Sequence, residues 1–125
     1  MCQETPRAHC RLPPGREAPR QAREFLRNAT CASHHNAVLE DAVLLVSELV
    51  TNSVIHGGPP VVVAVDCDGE ALRVRVRDGS PVLPARRAAD DGDEGGRGLA
   101  LVDTLSSDWG VDPEPDGKHV WFALR

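Results

Sequence analysis

Leu72, Val74 and Val76 alternate with Arg73, Arg75 and Arg77. Side chains on a strand face opposite sides in turn, so this pattern predicts a strand over residues 71–78 with one buried and one wet face. The valine-rich run at 61–67 predicts its partner, and Asp68-Gly69 between them is a tight-hairpin signal. Upstream the period changes. Ala18, Ala22, Phe25, Leu26 and Ala29 recur at helical spacing and predict a helix over 17–29. Leu39, Ala42, Val43, Val46, Leu49, Val50 and Ser53 predict a longer helix over 37–56, with Ser33 and Asn36 as cap candidates before it. Gly57-Gly58-Pro59-Pro60 ends that helix. Residues 80–96 are rich in Pro, Asp and Gly and read as a long loop, a feature that is functional or mobile in a small domain. A short helix over 99–106 and strands over 109–111 and 118–124 close the chain, the strands being joined by residues 112–117. Residues 1–15 read as a loose leader with a short strand near 9–12, and 16–125 as one domain. The order of elements predicts an α+β fold: a two-layer α/β sandwich with helices on one face of a mixed, mainly antiparallel sheet.

Composition narrows the class without changing that picture. With 125 residues, 41% hydrophobic and 26% charged, the chain has the material for one core and is neither disordered nor membrane-embedded. No apolar run approaches the roughly 20 residues of a membrane span. Residues 1–15 lack the apolar centre of a signal peptide, so a cytoplasmic location is expected. A net charge of −5 argues against general nucleic-acid binding. Lys118 is the only lysine; every other basic residue among the 14 is arginine. Arg16, Arg20, Arg23 and Arg27 share a side of the first helix, as a solvated face or a surface for an acidic partner. Cys2, Cys10, Cys31 and Cys67 show no C-x-x-C spacing, so reduced thiols are expected rather than a zinc or redox site built with His9, His34 and His35.

Three segments carry candidate chemistry. Glu48, Asn52 and His56 lie four residues apart, on one side of the long helix; that is either the polar side of an amphipathic helix or a row of ligand-facing groups. Asp78 continues the inward register of Leu72, Val74 and Val76, so its carboxylate points toward the core and needs donors. A ligand amino group such as that of adenine would serve, although Asp-Gly-Ser-Pro is also ordinary turn chemistry. In Glu94-Gly95-Gly96-Arg97-Gly98-Leu99, glycines before a helix allow backbone N–H groups to approach a phosphate. No G-x-x-x-x-G-K-[ST] loop or dinucleotide fingerprint is present, so a bound nucleotide would need another cradle.

Together these segments resemble the cradle of the GHKL (Bergerat-fold) ATPase superfamily, which includes gyrase, heat-shock chaperone, histidine kinase and mismatch-repair ATPases. The stretch from Glu48 through Asn52 to Gly57 is similar to its N box, Asp78-Gly79-Ser80-Pro81 to its adenine box, and Gly96-Arg97-Gly98-Leu99-Ala100-Leu101-Val102 to its second glycine box. The likeness runs over residues 16–125 and is greatest to the small bacterial anti-sigma-factor serine kinases, including the ending Gly117-Lys118-His119-Val120-Trp121-Phe122. It implies that Asn52 ligates Mg²⁺ and that Glu48 orients or deprotonates the attacking hydroxyl. Asp78 would accept from the adenine amino group, and Gly95, Gly96, Arg97, Gly98 and Leu99 would surround the phosphates. His56 would support the N box. Two departures stand out: Ser80 and Val82 replace glycines of the adenine box, and His119 stands where relatives carry a threonine near the adenine. The function implied is an ATP- and Mg²⁺-dependent serine kinase that phosphorylates an anti-anti-sigma protein and binds a sigma factor, with a homodimer left open. The alternative is a non-catalytic ATP-dependent interaction module, for which a carboxylate at position 48 has no use.

Overall fold

Two β-branched runs and a third run ending in Leu124 supply one apolar face each, and the sheet is built on them. The computed structural model describes residues 7–13, 15–29, 32–67, 70–80 and 94–125. Along the chain come β1 (Arg7–Leu12), α1 (Ala18–Ala29), α2 (Ala32–His56), β2 (Val61–Cys67), β3 (Leu72–Asp78), α3 (Glu94–Leu105), β4 (Asp108–Glu114) and β5 (Gly117–Leu124). The strands form one sheet in the order β1-β2-β3-β5-β4. All four pairings are antiparallel, so the expected sandwich is present with a wholly antiparallel sheet. Val61, Val63 and Val65 on β2, Leu72, Val74 and Val76 on β3, and Val120, Phe122 and Leu124 on β5 are buried on the face that the helices cover.

The helices fit this face through small and branched residues. Ala18, Ala22 and Leu26 of α1 are fully buried. On α2 the buried set is Ala42, Val43, Leu45, Val46, Leu49, Val50 and Ser53. Leu45 widens the stripe read from the sequence because α2 touches α1, α3 and the sheet, and so needs an apolar arc broader than one contact would. Three α1 arginines are engaged within the molecule. Arg20 pairs with Glu17 and Glu24 on its own helix. Arg23 Nη1 donates to Ser47 Oγ of α2 at 2.9 Å. Arg27 grips both carboxylate oxygens of Glu40 at 2.7 and 3.0 Å, which holds the Glu40 carboxyl below the usual carboxylate range. The basic stripe is therefore largely spent on salt bridges and on fastening α1 to α2.

Several boundaries differ from the sequence reading. α2 begins at Ala32, since no glycine or proline interrupts residues 32–36; Ser33 and Asn36 then fall inside the helix, and their side chains lie outside the described residues. α3 begins at Glu94, which places the glycines at 95, 96 and 98 in its first turns rather than before it. Buried Leu99 and Val102 anchor that helix, and N–H groups in a first turn lack helical partners in any case. β4 runs through Pro113 to Glu114, because an edge strand paired only with β5 tolerates a residue without an N–H. The strand expected at 9–12 is β1, paired with β2 from Arg7 to Leu12. The Asp68-Gly69 turn and residues 81–93 of the expected loop lie outside the described residues. Cys10 is a free thiol, but Cys67 is disulfide-bonded, contrary to the expectation of reduced thiols throughout; Cys2 and Cys31 lie outside the described residues. Among the described residues no cluster of three His, Cys, Asp or Glu could hold a metal, and no helix is long and apolar enough to cross a membrane.

Candidate functional site

Strand periodicity brings a carboxylate and an ammonium together under the helices. Asp78 ends β3 on the same face as Leu72, Val74 and Val76 and is 3% exposed. Lys118 is its register partner on β5, on the same face as Val120, Phe122 and Leu124. Lys118 Nζ donates to Asp78 Oδ1 at 2.8 Å and approaches the Ser80 carbonyl at 3.4 Å. The Ser80 N–H donates to the same Oδ1 at 3.0 Å. These donors compensate the burial of the carboxylate, which would otherwise be costly. The other oxygen, Oδ2, faces the end of α2. A Cβ on Gly57 would stand 2.5 Å from Oδ2 and 2.8 Å from the Ser53 carbonyl, so only glycine lets the helix end reach the carboxylate. The Gly57 N–H donates to Ser53 O at 3.1 Å, and the Gly79 N–H donates to Gly58 O at 2.6 Å. The Gly57-Gly58 and Asp78-Gly79 segments are thus clasped backbone to backbone.

The polar side of α2 runs away from this clasp. Glu48 and Asn52 are half-buried, and His56 is exposed at the last helical residue. Asn52 Oδ1 is buried and accepts no hydrogen bond. A buried acceptor left unpaired costs about 1–3 kcal/mol, and an amide oxygen is a hard donor suited to a magnesium ion; the residue present therefore fits such an ion. Leu44 and Ile55, at 42% and 53% exposed, lie within roughly 40° of Glu48 around the helix. α3 packs against α2 and carries Gly95, Gly96, Arg97 and Gly98 in its first turns. A helix start offers unpaired N–H groups and positive potential to an anion. The side chain of Arg97 lies outside the described residues. Leu99 is 2% exposed, and its side chain is part of the core.

A family model of the histidine kinase-like ATPase domain matches residues 12–124, nearly the whole chain. The chain belongs to the histidine kinase-like ATPase domain family. In agreement, it is similar to the crystal structure of the RsbU and RsbW domains of Rv1364c from Mycobacterium tuberculosis, with a TM-score of 0.67 and 25% sequence identity over 96% of this chain. The chain spans 32% of the length of that structure's chain. No curated protein matches it.

In this histidine kinase-like ATPase domain one residue of the sequence reading changes place. His119 points to the opposite face of the sheet, where its Nε2 lies 3.1 Å from Asp112 and its Nδ1 3.4 Å from Glu114. Alternation makes this unavoidable: if Val120 and Phe122 face the helices, His119 faces away and Lys118 faces in. Lys118 was legible by counting back from Phe122 in steps of two. Gly57 was legible only as a helix stop, because its contact with Asp78 depends on the strand lying beside the helix end. A separate cavity of about 420 Å³ on the wet face, lined by His9, Asp66, Arg73, Arg75 and Trp121 among others, is remote from Asp78 by the same alternation.

Proposed function

We propose that this ATPase-family chain is an ATP-binding, anti-sigma-factor-like regulatory serine kinase that phosphorylates an anti-anti-sigma partner and binds a sigma factor. The observation that carries the reading is the buried Asp78 carboxylate, clasped against Gly57 with Oδ2 turned toward the end of α2. A 6-amino group is a donor that such an oxygen can accept from. The glycine-containing first turns of α3 would take the phosphates on backbone N–H groups. Asn52 Oδ1 would hold Mg²⁺, which when bound neutralises phosphate charge. Glu48, one turn before Asn52, would orient the attacking hydroxyl and accept its proton. The exposed Leu44 and Ile55 on the same side of α2 offer apolar contact to a protein that presents that hydroxyl. The partners themselves rest on the motif resemblance to anti-sigma-factor kinases.

The test is phosphotransfer from labelled ATP to candidate partner proteins, with Glu48→Gln beside the unaltered protein. Glu48→Gln keeps size and polarity but cannot take a proton. It is expected to bind Mg-ATP and a sigma factor nearly as before and to lose transfer by about 10²-fold or more, the scale of general-base catalysis. Transfer at the unaltered rate would refute the role of Glu48. Capture of a sigma factor in an ATP-dependent way, with no partner phosphorylated by the unaltered protein, would instead establish a non-catalytic module.

A further inference from the structure

The chain holds one lysine, and that lysine is buried against Asp78. A buried ion pair is seldom the most stable filling for its space, since apolar residues of similar volume do as well or better. Its presence calls for another use. The ammonium carries three donors. One goes to Asp78 Oδ1 at 2.8 Å, and a second reaches Ser80 O at a long 3.4 Å. No third acceptor is found for Nζ among the described residues, although the side chain is only 8% exposed. The ammonium contacts Oδ1, while the other oxygen of the same carboxylate, Oδ2, faces the end of α2. The pair therefore presents an acceptor and a donor side by side.

We propose that Lys118 reads the base: anchored on Asp78 Oδ1, its Nζ donates to ring nitrogen N1 of a 6-aminopurine while Oδ2 accepts from the 6-amino group. The inference rests on the ATP reading of the site and adds a specificity residue to it. A 6-aminopurine carries a donor at position 6 next to an acceptor at N1, which matches the pair. A 6-oxopurine carries an acceptor next to a donor, and both contacts then oppose like with like. The compact ammonium suits this place better than a planar guanidinium, which would spread its donors over a wider fork. That distinction gives a reason for lysine here in a chain that uses arginine at every other basic position.

The experiment is calorimetric titration with ATP, 1-deaza-ATP, in which a C–H replaces N1, and 7-deaza-ATP as a control for ring alteration remote from the pair. The unaltered protein is expected to bind 1-deaza-ATP about tenfold or more weakly than ATP, as befits loss of a hydrogen bond from a charged donor, and to bind 7-deaza-ATP like ATP. Lys118→Met, once its fold is checked by circular dichroism, is expected to bind ATP and 1-deaza-ATP equally. Equal binding of ATP and 1-deaza-ATP by the unaltered protein overturns the role of Lys118 while leaving the ATP site standing; so does discrimination that survives in Lys118→Met. If Lys118→Met does not fold, the comparison on the unaltered protein decides alone. Binding of none of the three nucleotides overturns the ATP reading itself and this inference with it.

Discussion

Adjacent glycines at the end of α2 should respond in opposite ways to alanine. At Gly57 the added Cβ would lie 2.5 Å from Asp78 Oδ2 and 2.7 Å from Cγ, well inside the 3.4 Å at which ordinary contact begins. The carboxylate must retreat by most of an ångström, in rough terms. Its bond to Lys118 Nζ is 2.8 Å, and a separation near 3.6 Å is no longer a hydrogen bond. The pair is buried, at 3% and 8% exposure, and removing one partner of such a pair costs about 3–5 kcal/mol, which is the ceiling for forcing the two apart. Alanine recovers about 0.4–1 kcal/mol through the unfolded chain, because position 57 has no positive φ. Gly57→Ala should therefore lose stability, by up to about 4 kcal/mol, a large part of what holds a small domain folded. At Gly58 the nearest atoms to the added Cβ are 3.8 Å away, an ordinary contact, so Gly58→Ala should be neutral or gain up to about 1 kcal/mol. Urea unfolding of the two variants reads the difference directly. A Gly57→Ala protein as stable as Gly58→Ala would refute the close approach of the helix end to Asp78.

Asp78→Asn should weaken ATP by about 1.5–3 kcal/mol in calorimetry, the scale of a hydrogen bond to a charged group. Asn52→Leu removes a buried acceptor that has no donor, so its urea midpoint should not fall below that of the unaltered protein, while Mg²⁺ should no longer strengthen nucleotide binding. The Arg27–Glu40 contact should matter only when the carboxylate is ionised. Glu40 has a lowered pKa in the folded state, so its contribution is full above the ordinary carboxylate range and disappears as pH falls through the lowered value. The stability difference between the unaltered protein and Glu40→Gln, followed from neutral pH into acid, should shrink to nothing; a constant difference would show that the ion pair is not its source.

The fold was legible where periodicity is unbroken. Valine and arginine alternate through β3, and β2 matches the expected strand from end to end. Sequence pattern was weakest where an element's end is set by its neighbour. Pro113 looks like a strand breaker until β4 is seen to be an edge, and the α3 glycines look like a loop until Leu99 and Val102 are seen buried. The candidate site shows the same division. Asp78 was legible because its parity on the strand is fixed by Val76 two residues earlier. Lys118 had equal claim from Val120, but the motif likeness drew the reading to His119, one residue off and on the other face. The orphaned oxygen of Asn52 could not be read from a sequence at all, since its lack of a donor depends on every group around it.

In the proposed function, the Asp78 carboxylate makes this chain an adenine-nucleotide binder. Calorimetric titration of the purified protein with ATP and GTP in the presence of Mg²⁺ decides whether Asp78 has that role. ATP should bind saturably at one site per chain and GTP more weakly by about tenfold or more, because guanine offers Asp78 a carbonyl where adenine offers an amino group. GTP binding as tightly as ATP, or no binding of ATP, would contradict it.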